Sequence, residues 1–182
     1  MRSSRVAIGR RSQWVAGVLV VSLGFTVQAA ESTKPTPGID ARTAWAQLAS
    51  LAGAWEGTAG DGTGRVEYRV ASGGTVVMET LFPGTPHEMI SMYHVDGDEL
   101  VMTHYCAMGN QPRMRLDRAG STASQLRFEF TGGTNLKPET DAHVHSGTIE
   151  IGADGRLRAA WDFWSDGKRA GSNRFDLARA KE

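Results

Sequence analysis

Three imidazoles and a thiol stand out among the residues able to do chemistry. His104-x-Cys106 and His143-x-His145 each place two such groups two positions apart. On a β-strand, residues i and i+2 project to one face about 6.5–7 Å apart. Imidazole and thiolate are good ligands for zinc or copper, so His104, Cys106, His143 and His145 form a candidate metal set. A haem held by one of the histidines is a further option. His104 beside Cys106 is also the arrangement that activates a thiol. Against these stand plainer readings: inward polar residues that hydrogen-bond one another or a ligand, and a cysteine acting as a small hydrophobe. Asp162, Asp166 and Asp176 form no carboxylate pair of distinctive spacing. The chain shows no Ser/His/Asp order, no phosphate-cradling glycine loop and no metalloprotease helix. The expectation is therefore a binding protein and not an enzyme, with the cofactor unspecified.

Strands must position these residues. Ten candidate strands fall near 53–60, 64–72, 75–83, 88–95, 99–108, 112–118, 125–132, 143–151, 156–165 and 168–179. Val66, Tyr68 and Val70 alternate with Glu67 and Arg69; Leu126, Phe128 and Phe130 with Arg127 and Glu129; Leu157, Ala159, Trp161 and Phe163 with Arg158 and Asp162. One apolar and one wet face per strand is the antiparallel pattern. Asp96-Gly97-Asp98, Ala153-Asp154-Gly155 and Asp166-Gly167-Lys168 supply hairpin turns. Ahead of the strands, Asp40 can cap a short helix carrying Trp45, Leu48 and Leu51 on one face. The expected fold is all-β: an antiparallel up-and-down barrel of about ten strands with a short N-terminal helix. Closure removes exposed strand edges.

The chain has 182 residues, with 20 basic and 20 acidic side chains. Residues 1–30 read as a signal peptide, with Arg2, Arg5, Arg10 and Arg11 before an apolar stretch from Trp14 to Val27 and cleavage near Ala29 or Ala30. The paired Arg10-Arg11 leaves the twin-arginine route open beside the general one. Residues 31–39 read as a disordered polar tail, and 40–182 as the barrel domain. Removal of the signal leaves a mildly acidic domain, which by charge is no nucleic-acid binder. No other segment is apolar enough to span a bilayer. Cys106 is the only cysteine, so the fold holds by packing and not by an internal disulfide. The expected location is periplasmic or secreted.

The run Leu51-Ala52-Gly53-Ala54-Trp55-Glu56-Gly57 resembles the Gly-x-Trp opening of lipocalin-like barrels, the calycin group. In that group the Trp packs against an Arg near the end of the last strand, and Arg179 stands at that place, so Trp55 and Arg179 are the implied closure pair. With Thr103 to Pro112, the chain resembles an exported bacterial branch of lipocalin-like proteins of unknown function. The resemblance implies an interior that takes a small apolar molecule; one relative, nitrobindin, binds haem.

In a meander, odd and even strands run in opposite directions. Strand one starts, and strand ten ends, at one end of the barrel, the closed end. His104 and Cys106 then approach the opposite, open end, where His143 and His145 begin strand eight. His104 and Cys106 share parity with Leu100 and Met102, and the other two with Ile149 and Ile151, so all four are expected to point into the mouth. Asn110, Trp161 and Phe163 complete the expected ligand site, an apolar pocket with few polar groups. A small-molecule ligand is the expected partner.

Overall fold

The structure is a computed structural model, and it describes residues 38–181. The expected signal peptide and most of the polar tail lie outside the described residues.

Asp40 caps helix α1 (Ala41–Ser50), its carboxylate accepting the Thr43 backbone N–H at 2.9 Å. Ten strands follow: β1 (Gly53–Ala59), β2 (Gly62–Ala71), β3 (Val76–Leu81), β4 (Met89–Asp96), β5 (Glu99–Tyr105), β6 (Gln111–Leu116), β7 (Gln125–Thr134), β8 (His143–Ile151), β9 (Leu157–Ser165) and β10 (Lys168–Arg179). Each pairs antiparallel with its sequence neighbours, and β1 pairs with β10 to close the barrel. The architecture is the expected ten-stranded up-and-down barrel with a short helix before it, compatible with a lipocalin-like fold. Tight turns carry the reversals. Between β9 and β10, Asp166 and Gly167 have φ of 52° and 68°, a conformation open to Asp and Gly at low cost.

The alternating apolar faces meet inside. Val66, Tyr68, Val77, Tyr93, Leu100, Met102, Met114, Phe128, Ile149, Leu157 and Leu177 are all buried. Leu48 and Ala44 of α1 join them, so the helix covers one end, and Trp45 lies beside the closed-end turns at Gly74–Thr75 and Gly97.

The junction of helix and barrel is made by Trp55. Its indole is buried and donates Nε1–H to the Leu51 carbonyl at 2.8 Å. Trp55 and Arg179 are register partners across β1 and β10. The guanidinium lies 4.6 Å from the ring centroid. It also donates to the Ala52 and Ser50 carbonyls at 2.9 and 3.0 Å. Arg179 thus ties the last strand to the end of the helix, where carbonyls lack intrahelical partners.

Two local departures from the expected strands matter for the site. Strand β5 ends at Tyr105, not near 108. The Gly109 N–H donates to the Cys106 carbonyl and the Cys106 N–H to the Asn110 carbonyl, which turns the chain at once. In β8 the pairing with β9 shifts between Val144 and Ser146, leaving His145 as the extra residue of a bulge. A bulge reverses the inside–outside parity of everything beyond it.

Gly147 pairs with Trp161 across β8 and β9. A Cβ on Gly147 would lie 2.0 Å from the Trp161 ring, so the indole lies flat on bare backbone. Gly147→Ala is therefore expected to push Trp161 aside and to destabilise the fold by about 1–3 kcal/mol. A urea midpoint equal to that of the parent would show that the ring has room to move.

Candidate functional site

The open half of the barrel encloses a cavity of about 20 Å³, lined by Leu81, Met89, Val144, Trp161, Phe163 and Phe175 with the polar side chains of Ser91, His104 and Asn173. His104 comes from the end of β5 and shares its inward face with Leu100 and Met102. It is only 5% exposed. Its Nδ1 meets the Ser91 hydroxyl at 3.0 Å, and Ser91 is its register partner on β4. Its Nε2 has no hydrogen-bond partner. Burial pushes the imidazole down from 6.5 to about 4, so the ring is neutral at physiological pH.

Across the β3–β4 pairing from Ser91 stands Glu79, the centre of a buried polar group. Glu79 of β3 is 1% exposed. Its two oxygens accept from the hydroxyls of Tyr68 at 2.6 Å and Tyr93 at 2.7 Å. Burial raises the Glu79 carboxyl above its ordinary value, while these phenols and the Ser91 hydroxyl favour the charged form. Burial and the neighbouring carboxylate push both phenols upward, Tyr68 and Tyr93 alike, so they stay protonated as donors. The order from core to cavity is Tyr68 and Tyr93, Glu79, Ser91, His104. A buried carboxylate without a cation is costly, and hydroxyl donors are what make it tolerable.

Glu79, Tyr68, Tyr93 and Ser91 were not singled out from the sequence. A signal was there: Glu79 shares parity with Val77 and Leu81, both buried, so its side chain had to point inward.

The expected four-residue cluster does not form. His104 enters the cavity with Trp161 and Phe163, as expected. The bulge at His145 puts Val144 on the inner wall in place of His143 and His145. Strands β6 and β7 stand between β5 and β8. Cys106 lies in the turn after β5, outside the cavity lining, with its Sγ 4.0 Å from Met89 Sδ. Among the described residues no three His, Cys, Asp or Glu side chains gather as a metal set. The metal assignment to His104, Cys106, His143 and His145 is corrected accordingly.

Asn110 is also absent from the cavity lining. It is buried in the open-end turns, where its Nδ2 donates to the Ala142 carbonyl at 2.8 Å and so ties the 106–111 turn to the loop before β8.

His143 and His145 make a separate group at the rim. The Asp141 carbonyl, 2.8 Å from His143 Nδ1, can only accept, so that nitrogen carries the proton. The His143 Nε2 shares a hydrogen bond with His145 Nδ1, 3.1 Å away. The His145 ring is stacked between Trp164, at 4.0 Å between centroids, and Phe130, at 4.9 Å. Burial first, and His143 second, hold His145 below the ordinary imidazole value. Both rings are thus fixed in place by one carbonyl and two aromatic faces, which makes them parts of the rim wall.

No protein-family model matches the chain, and no curated protein matches it.

Proposed function

We propose that this chain is an exported, non-enzymatic binding barrel that holds a small, largely apolar molecule in its open half, with the polar atom of that molecule against His104 Nε2. The observation that carries this reading is the orphaned Nε2: a buried, neutral ring nitrogen without a partner, set in a wall of Leu81, Val144, Trp161 and Phe175. Buried polar atoms are nearly always paired, so an unpaired one on a ring that lines a cavity supports a place for something else to bind. The resemblance to the calycin group and the signal-like N-terminus support an apolar ligand and a periplasmic location.

The cavity, about 20 Å³, has room for about one water. A larger guest must displace side chains. Met89 and Phe163 are half-buried at the mouth, and methionine readily changes rotamer. The ligand's polar end takes the void, and its apolar body takes the space those two side chains vacate.

Native mass spectrometry of the mature protein, purified from its own host without chelators, tests this reading. A retained organic mass is expected, and His104→Leu is expected to weaken its retention about tenfold through loss of one buried hydrogen bond. A bare mass for the parent protein, with no Trp161 fluorescence response to any small apolar probe, would sink the reading.

A further inference from the structure

We infer that Phe82 is the gate of the internal cavity: a left-handed backbone holds its ring inward, and relaxation of that backbone to the extended form swings the ring out. This deepens the binding reading above and rests on it.

Phe82 is the first residue beyond β3, and its N–H still donates to the Arg65 carbonyl of β2 at 2.9 Å. Leu81, just before it, is buried on the inner face opposite Val66. In an extended chain the next side chain points to the other face, so an extended Phe82 carries its ring outside the barrel. The observed φ is 53° instead, and the ring turns in. It packs on Phe175 with 5.8 Å between centroids and adds to the apolar core. Gly64 leaves the place free: a Cβ there would lie 3.2 Å from the Phe82 ring.

This backbone is strained on two counts. A bulky side chain at positive φ is a rarity. Pro83 follows, and a residue ahead of proline is driven toward the extended region. Such strain lasts only where the surroundings impose it, and it gathers at ligand clamps and switches. Here the Phe82 carbonyl accepts from the Thr85 N–H at 3.2 Å and from its hydroxyl at 2.8 Å. The Gly84 N–H donates to the Glu88 carboxylate at 2.6 Å, which braces the same loop. Contacts favour the ring inside, and backbone conformation favours it outside.

The position of the ring makes it a partition. On one side, Phe82 lines a surface recess of about 610 Å³ together with Gly57, Thr63, Gly64 and Thr85. On the other, its stacking partner Phe175 lines the cavity of about 20 Å³ that His104 enters. With the ring outside, the recess opens toward the cavity over the bare backbone of Gly64. The loop that carries the gate joins Leu81 to Met89, and both of those line the cavity. Phe82 thus opens the way in, and Met89 and Phe163 yield the room inside.

The test is stopped-flow binding of N-phenyl-1-naphthylamine, a neutral apolar fluorophore. An open form populated at about 0.1–10% limits entry and exit alike. Phe82→Gly takes the positive φ without strain and lacks the ring. It is expected to raise the association and dissociation rate constants together, by about tenfold or more, with Kd changed less than about threefold. Pro83→Ala keeps the ring and lifts the bias toward the extended form, so it is expected to slow both steps. Unchanged rates in Phe82→Gly, a change in dissociation alone, or a Pro83→Ala protein as fast as the parent overturns the gate while leaving the pocket standing. Absence of binding by the parent and by both variants overturns the pocket reading instead. The free protein then decides the gate without any probe. With 4-fluorophenylalanine incorporated, ¹⁹F relaxation dispersion is expected to show the Phe82 signal exchanging on the microsecond-to-millisecond scale with a solvent-exposed minor form. A flat profile overturns the gate outright.

Discussion

Replacing Trp55 with alanine is expected to destabilise the barrel by about 3–5 kcal/mol, the usual cost of removing a large buried aromatic. Three losses coincide. The indole leaves a void between α1 and the barrel wall, where Trp55 is 3% exposed. The Leu51 carbonyl loses its donor at 2.8 Å. The Arg179 guanidinium loses the ring face beneath it, and with that the packing that holds it on the Ser50 and Ala52 carbonyls. The measurement is urea unfolding, with an unchanged slope and a lower midpoint as the expected signature. A shift below about 1 kcal/mol would mean that the helix and the barrel are not joined through this residue.

The second large effect is on pH. His104 titrates near 6.5 when the chain is unfolded and near 4 in the fold, because burial disfavours its charged form. Between those values the unfolded chain binds more protons than the folded one. Stability is therefore fully present above about pH 6.5 and falls as pH drops toward 4, by about 3 kcal/mol for a shift of this size. Glu79 acts in the opposite sense. Its carboxyl is raised by burial, so the folded state holds its proton longer, and its contribution declines as pH rises from the unfolded value. Comparison with His104→Leu separates the two. Urea midpoints measured at pH 7 and pH 4 are expected to fall steeply for the parent protein and to fall less for the variant. An identical fall in both would show that the imidazole is not kept neutral by its surroundings.

The two residues differ in how they can be found. Trp55 and Arg179 are visible through the resemblance to lipocalin-like barrels, which implies an Arg late in the last strand for the Trp that opens the first. His104 is visible because Leu100, Met102 and His104 share the parity of a buried strand face. Its importance lies in what stands behind it, and no spacing along the chain connects position 104 with positions 68, 79, 91 and 93. Those residues lie on β2, β3 and β4 and meet only when adjacent strands bring them into register.

What the sequence determined by itself was the fold: ten candidate strands, several of them clearly alternating, good turns between them and a capped helix in front. Period-two alternation is a local property, and each strand carries its own record of which face is wet. What the tertiary structure decided was the composition of the site. Alternation fails at a bulge, and the one at His145 exchanged His143 and His145 for Val144 on the inner wall. A turn closed by backbone hydrogen bonds at Cys106 took the thiol off its strand. In place of a histidine–cysteine cluster, the pairing of β2, β3, β4 and β5 set Tyr68, Glu79, Tyr93, Ser91 and His104 beside one another in the core. Only strand pairing could do so, because contacts between strands are set by register and not by distance along the chain.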